Sequence, residues 1–322
     1  VNTALGSTLE TVTAAWNRFF FDPISPATIG IFRIAFGLVV FTAILGVFPF
    51  RTIFYGDLAI VPPEVMNAYL PTQEFLRFRW YVPYRDPGLQ IYFIILLLSS
   101  VCLTLGLFTR VASILVFFGI LGLHNTNSFN TNRGDELMRI NALLLIFSEA
   151  GAAYSVDRWV RRRRGIEGPE LPRRSPWAQR VIQLQLAFLY INTAWLKLEG
   201  PSWRDGTALY YALNYLELQR FSFKYVFYTL WQIKLATWGT LLAEAAAGTL
   251  IWWKPLRYPV LLAAIGLHAG INLAMQFPTF QYVMIASLLT FLIPEDVERW
   301  VGRGRELLSR AQSSRALRSK GL

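Results

Sequence analysis

The sequence has one cysteine, two histidines and few charges. Cys102 stands alone among 322 residues, which excludes a disulfide framework and a cysteine-ligated metal site. His124 and His268 are far apart, and neither sits in a local ligand motif such as His-Glu-x-x-His, so no metal is expected. A glycine-rich phosphate loop, a serine elbow and a haem-attachment motif are likewise missing. Charged residues make up 16% of the chain, against about a quarter in soluble domains, which argues against a soluble enzyme. The 31 Lys and Arg exceed the 20 Asp and Glu, for a formal charge of +11. Long apolar runs accompany that excess, so nucleic acid is not an expected partner.

What is abundant is apolar sequence: 54% of residues are hydrophobic, and the mean hydropathy is +0.38. Residues 1–21 lack the charged and apolar regions of a signal peptide. Leu9, Val12, Trp16, Phe19 and Phe20 recur there at helical spacing, as in an interfacial amphipathic helix. Eight stretches are then long or apolar enough to span a bilayer: Thr28–Phe48, Gly88–Phe108, Val111–Asn127, Leu137–Val156, Ala178–Leu198, Ala236–Trp253, Tyr258–Gln276 and Tyr282–Ile293. No internal repeat is evident. The expected fold is all-α, a polytopic helical membrane bundle of about eight transmembrane helices with interfacial or re-entrant helices added. Its transmembrane domain covers 22–294, and 295–322 forms a basic cytoplasmic tail.

Threading eight spans from a cytoplasmic N-terminus places nineteen basic residues in inner segments and nine in outer ones, with the acids evenly divided. Short loops biased in this way set orientation. Both termini are therefore expected in the cytoplasm, in a multi-pass protein of a bacterial inner membrane. The inner excess also suggests affinity for membrane lipids. Two outer segments, Arg51–Pro87 and Glu199–Lys234, are long and aromatic. Tyr210, Tyr211, Tyr215, Phe221, Phe223, Tyr225, Phe227, Tyr228 and Trp231 crowd the second. They read either as interfacial belts or as the roof of a cavity between spans.

Ionisable groups inside a bilayer need a partner or a function. Most here fall in the outer half. Asp135 and Arg139, four residues apart on one helical face, read as a structural ion pair. His268 and Asn272 share a face, either hydrogen-bonding between helices or holding a ligand. Glu244 lies in the small-residue stretch Ala243–Gly248 and is either a buried protonated carboxyl or a functional one. Asn192 and Lys197 lie near the outer end of their span. Lys197 either snorkels to the headgroups or faces the bundle, where desolvation favours a neutral amine able to act as a base. Arg33, toward the inner side, is expected to snorkel.

The order of motifs resembles a known family. Asp22-Pro-Ile-Ser-Pro-Ala-Thr-Ile-Gly-Ile-Phe-Arg33, with Gly37, is similar to the opening of the HTTM (horizontally transferred transmembrane) family, which includes the membrane part of vitamin K-dependent gamma-carboxylases. Ala153-Tyr-Ser-Val-Asp157 is similar to its "YWSVD" segment. Lys197-Leu198-Glu199 followed by Trp203-Arg204-Asp205-Gly206 resembles "KKLDADWVEG". His268, Asn272, Phe280 and Tyr282–Ser287 resemble "H..N…F.YVM.AS". The resemblance implies a lysine amine that deprotonates a reduced, vitamin K-like quinone, and it aligns Lys197 with that base. The family's double lysine is Leu196-Lys197 here, and its histidine after paired asparagines falls at about Gly134 or Asp135. The chain continues past Pro294 as a basic tail where carboxylases carry a lumenal domain, so protein-glutamate carboxylation is not expected.

Two functional readings follow. In the first, the protein binds a quinone or similar lipid, with Lys197 and His268 catalytic and with Asn272, Glu244, Trp203 and Asn192 binding the cofactor. In the second, it is a non-catalytic subunit that binds a partner membrane protein, a pigment or a lipid. A transporter ranks last, because the two halves do not carry matching broken helices.

Overall fold

Proline and glycine punctuate the apolar runs into helices. The computed structural model describes residues 2–61, 65, 82–127, 130–221, 229–277 and 279–319. Among the described residues the chain is helical and forms no strand, only two isolated bridges, Ile24 with Arg174 and Gln219 with Met275. The principal helices are α1 (Asn2–Phe21), α2 (Ala27–Val47), α3 (Gly88–Leu105), α4 (Thr109–Thr126) and α5 (Arg133–Phe147), then α6 (Trp177–Glu199), α7 (Leu230–Gly248), α8 (Arg257–Ala274), α9 (Phe280–Leu288) and α10 (Pro294–Ser319). Shorter helices at Arg51–Tyr55, Val156–Arg163, Pro201–Arg204 and Ala208–Leu213 fill the connections.

The helix ends follow local chemistry. Pro26 precedes the first turn of α2, where a missing N–H costs nothing. α3 stops at Gly106, whose φ of +68° suits glycine. The Gly106 N–H donates to Leu103 O and the Leu107 N–H to Cys102 O, a Schellman arrangement. α5 and α7 open with reciprocal caps, Asn132 with Asp135 and Thr229 with Gln232.

The core runs along the middle of the bundle through Phe32, Phe36 and Val40 of α2, Phe93 and Leu96 of α3, Val116 and Ile120 of α4, and Val283 and Leu288 of α9. α2 and α3 meet closely at Gly37, where a Cβ would come within 2.8 Å of Thr104 N. α3 is apolar on its outer side too: Ile91, Ile94, Ile95, Leu98 and Leu105 are exposed. An apolar stripe of this length facing outward belongs against hydrocarbon rather than water.

Among the described residues, three helical elements, Ala27–Tyr55, Gly88–Leu105 and Thr109–Thr126, are long and apolar enough to cross a membrane. A fourth qualifies if Phe280–Phe291 and Pro294–Arg310, bent by 101°, count as one span. Each of the eight expected stretches contains a helix, but the count of about eight spans is not confirmed, because the other helices are too short or too polar by length and composition.

Arg33 corrects the snorkelling expectation. It is fully buried. Its Nη1 donates to Leu103 O at 2.7 Å and Thr104 O at 3.0 Å, and its Nη2 donates to Tyr154 O at 2.7 Å. The guanidinium thus satisfies the Thr104 carbonyl and adds a second donor to that of Leu103 at the end of α3, where the helix dipole is negative. From the other side, Asp157 accepts the Phe108 and Thr109 N–H groups, each at 2.8 Å, and the Thr109 hydroxyl at 2.7 Å, capping α4.

Candidate functional site

α6 and α7 pack through small residues. A Cβ on Gly248 would lie 3.1 Å from Ala187 O and 2.6 Å from Ile191 Cγ1, so the helices approach closely there. That approach sets the axial register between them and brings Glu244, one turn before Gly248, beside Lys197. Lys197 Nζ donates a hydrogen bond to Glu244 Oε1. The Glu244 side chain is 8% exposed and that of Lys197 26%. The second Glu244 oxygen, Oε2, is buried without a hydrogen-bond partner.

Trp203 covers the amine from the other side, with its ring centroid 4.8 Å from Lys197 Nζ, a cation–π contact. The stretch after α6 explains how it gets there. Asp205 Oδ1 accepts from the Thr207 N–H at 2.9 Å and the Thr207 hydroxyl at 2.6 Å, which closes a turn and holds the exposed Asp205 carboxyl below its ordinary pKa. Gly206 sits inside that turn at φ +85°, and a Cβ there would lie 2.8 Å from Lys234 Cγ. The turn thus ends the short helix Pro201–Arg204, which carries Trp203 back beside the end of α6.

Two turns before Lys197 on the same face of α6, Tyr190 is buried. Its hydroxyl lies 2.7 Å from His268 Nε2, and His268 Nδ1 lies 2.5 Å from Gln281 Oε1. Phe280 meets the imidazole edge-on, with centroids 6.1 Å apart. These groups border a cavity of about 780 Å³, within the range of small-molecule sites. Leu189, Leu209, Leu213, Ile271, Phe277 and Met284 make much of its wall apolar, and the helices at 201–213 close one side. A binding site of this kind accepts an apolar body with one polar head.

Lys197, Glu244, Trp203 and His268 all line the cavity, so four of the expected site residues come together. Two do not. Asn192 is exposed and points away from the cavity, because it is five residues from Lys197 and falls on another face of α6. Asn272 also misses the wall; its Nδ2 donates to Tyr282 OH at 3.0 Å. The Asp135–Arg139 ion pair is also corrected. Asp135 Oδ2 accepts the Asn132 N–H at 2.8 Å, and its Oδ1 lies 4.0 Å from His124 Nε2. At the third position of α5 that carboxylate serves the helix cap, and Arg139 is not among its ion-pair partners within 4.0 Å.

Tyr190 and Gln281 were not singled out from sequence. The available signal for Tyr190 was its two-turn spacing from Lys197, and for Gln281 a lone amide in an otherwise apolar helix. Among the expected aromatic residues, Tyr210, Tyr211, Tyr215, Phe221 and Trp231 are exposed; Phe223, Tyr225, Phe227 and Tyr228 lie outside the described residues. Among the described residues no group of three or more His, Cys, Asp or Glu is placed to hold a metal.

Residues 21–296 match the family described as HTTM domain. Over 124 residues the chain is 27% identical to an uncharacterized protein, YitO, of Bacillus subtilis (strain 168). That match covers 36% of this chain and 39% of YitO, so the chain spans well under half the length of this relative. No solved structure matches.

Proposed function

The chain belongs to the HTTM family, a membrane domain, and from that premise we propose that it binds a quinone or similar lipid-like molecule beside Lys197 and uses the Lys197–Glu244 pair for proton transfer. The observation that carries this reading is an apolar cavity whose polar wall holds a paired amine and carboxylate. The Lys197 side chain is 26% exposed, so a hydroxyl-bearing headgroup in the cavity can reach its amine. A reduced quinone, when bound, supplies such hydroxyls on a redox-active ring.

The residues fit that group. Trp203 and Phe280 offer aromatic faces for a flat ring, and the leucines and methionines offer room for a chain. Lys197 Nζ and Glu244 Oε1 share a hydrogen bond at the cavity wall, so the pair is placed to receive a proton from a bound hydroxyl and pass it on. His268, fixed by Gln281 and Tyr190, holds the cavity's second polar point.

The same reading makes the protein multi-pass, with the Lys197 end of the bundle outward and both termini cytoplasmic. A cysteine at Arg162 should then react only with a reagent on the cytoplasmic side, whereas one at Tyr211 should react from outside.

The direct test is the purified protein in nanodiscs, titrated with reduced and oxidised quinones, with binding read by tryptophan fluorescence and turnover by oxygen uptake. Wild type should bind and Lys197→Ala should lose turnover. Binding and turnover unchanged in Lys197→Ala would remove Lys197 from the chemistry.

A further inference from the structure

A second cavity, of about 660 Å³, lies at the opposite end of the bundle from Lys197. The helix Val156–Arg163, the segment 169–173 and the first turns of α10 enclose it. Its wall carries both signs of charge: Arg158, Arg162, Arg173 and Arg305 against Glu170, Glu295 and Glu298. Arg158 is paired with Glu167 at 3.6 Å, and none of the other six forms an ion pair within 4.0 Å among the described residues.

The six unpaired residues are exposed at the bundle end, and local contacts hold parts of the wall around them. Arg158 is buried and donates through Nη2 to the carbonyls of Gly168 at 3.3 Å and Pro169 at 3.2 Å, and also to that of Glu170, which fixes the loop. Arg173 Nε donates to Pro23 O at 3.2 Å. Glu295, Glu298 and Arg305 recur along α10 at helical spacing and form its cavity-facing stripe. Trp300 and Leu307 of the same helix are exposed. Because α10 turns 101° away from α9, it lies across the bundle end with a charged stripe inward and Leu307 outward, while Trp300 packs against Tyr258 with ring centroids 6.0 Å apart. Trp159, also in the wall, is 54% exposed, and the Arg163 guanidinium sits 4.4 Å over its ring. Such aromatic and basic groups sit at headgroup depth in a bilayer.

We propose that this cavity binds the headgroup of a zwitterionic phospholipid bearing a primary ammonium. Guanidinium groups suit the phosphate, which they hold through directed hydrogen bonds. The carboxylates suit an ammonium, which donates three hydrogen bonds. A purely anionic headgroup would meet three carboxylates without a counter-charge. A trimethylammonium headgroup has no N–H to donate. The exposed tryptophans favour a lipid over a soluble zwitterion. This site is separate from the cavity beside Lys197 and does not depend on its chemistry.

The full chain, purified into nanodiscs of equal phosphatidylethanolamine, phosphatidylcholine and phosphatidylglycerol, is stripped gently, and the retained lipids are counted by native mass spectrometry. Phosphatidylethanolamine should be retained over both others. Glu295→Gln with Glu298→Gln should reduce its excess over phosphatidylcholine by about tenfold, the scale of one lost charge-assisted hydrogen bond. Arg162→Gln with Arg305→Gln should lower retention of both zwitterionic lipids, and Arg305→Lys should restore part of it. Retention that follows the bulk composition in wild type overturns the proposal without any variant. So does phosphatidylglycerol exceeding phosphatidylethanolamine, which would mark a plain anion site. Displacement by soluble glycerophosphoethanolamine as effectively as by the lipid would overturn the lipid assignment.

Discussion

The Tyr190 hydroxyl lies 2.7 Å from His268 Nε2 while Gln281 Oε1 lies 2.5 Å from Nδ1 of the same ring. A side-chain amide oxygen only accepts hydrogen bonds, so Nδ1 is the donor to Gln281, and in the neutral ring Nε2 accepts from Tyr190. The chain of three thereby has a direction, and the remaining lone pair of the phenol oxygen is free for a donor in the cavity. Tyr190→Phe should keep the fold and weaken binding of a hydroxyl-bearing quinone by about tenfold, one hydrogen bond's worth in a buried site. Its affinity for the oxidised form should change less. Titration of both forms against wild type and variant checks this, and equal losses for the two would contradict the direction assigned.

The Lys197–Glu244 pair makes a prediction about stability that is independent of any ligand. Removing one member of a buried ion pair leaves the other uncompensated, which costs about 3–5 kcal/mol when both are fully buried. Lys197 keeps 26% of its side chain exposed, so the loss here should fall below that range. Glu244→Ala should still lower the unfolding temperature in detergent more than the double variant Lys197→Met/Glu244→Leu, in which no charge is stranded. Losses in Lys197→Met and Glu244→Leu that add up to the loss in the double variant would show that the residues are not coupled.

Arg33 and Asp157 hold the α3–α4 turn from opposite sides. Arg33→Met leaves the carbonyls of Thr104 and Tyr154 without that donor, each a loss of about 1–3 kcal/mol, while Leu103 O keeps the Gly106 N–H. Asp157→Asn keeps one acceptor oxygen and should cost less, about 0.5–2 kcal/mol for a weakened cap. Thermal unfolding of both variants in the same detergent tests the ranking. A milder effect at Arg33 than at Asp157 would reverse this account of the turn.

Much of this fold was legible because apolar runs broken by Pro and Gly leave few choices other than helices. Pro26, Gly106 and Asn132 mark helix ends, although Gly106 falls inside the expected stretch Gly88–Phe108 and Asn132 lies ahead of the expected start at Leu137. The residues that misled did so for a common reason: spacing along one helix does not say which of two local jobs a side chain does. Asp135 and Arg139 have the spacing of a pair, yet Asp135 is also at the third position of α5, and the cap claims it. Depth judged from chain position put Arg33 near the inner surface, but carbonyls at the end of α3 and at Tyr154 meet it inside. Lys197 and Glu244 were each suspect alone. Their contact depends on the axial offset of α6 against α7, set at Gly248, and no periodicity within either helix encodes that offset.

Asp296 supplies a pH dependence whose sign is determined. The Tyr258 hydroxyl donates to its Oδ2 and Arg299 to its Oδ1. Chiefly through the Tyr258 hydrogen bond, the carboxyl is held below its ordinary range, against some opposing desolvation. A carboxyl whose folded value is depressed binds fewer protons folded than unfolded in the interval between the two values. Its contribution is therefore full above the ordinary value of about 4 and is lost as pH falls through the lower, folded one. The contact ties the first turn of α10 to the start of α8, so its loss should loosen the bent segment. Asp296→Asn should lower the unfolding temperature at pH 7, and the gap from wild type should narrow progressively below about pH 4. A gap that stays constant down to pH 2.5, or widens, would mean that Asp296 is not held as an ionised acceptor by Tyr258 and Arg299.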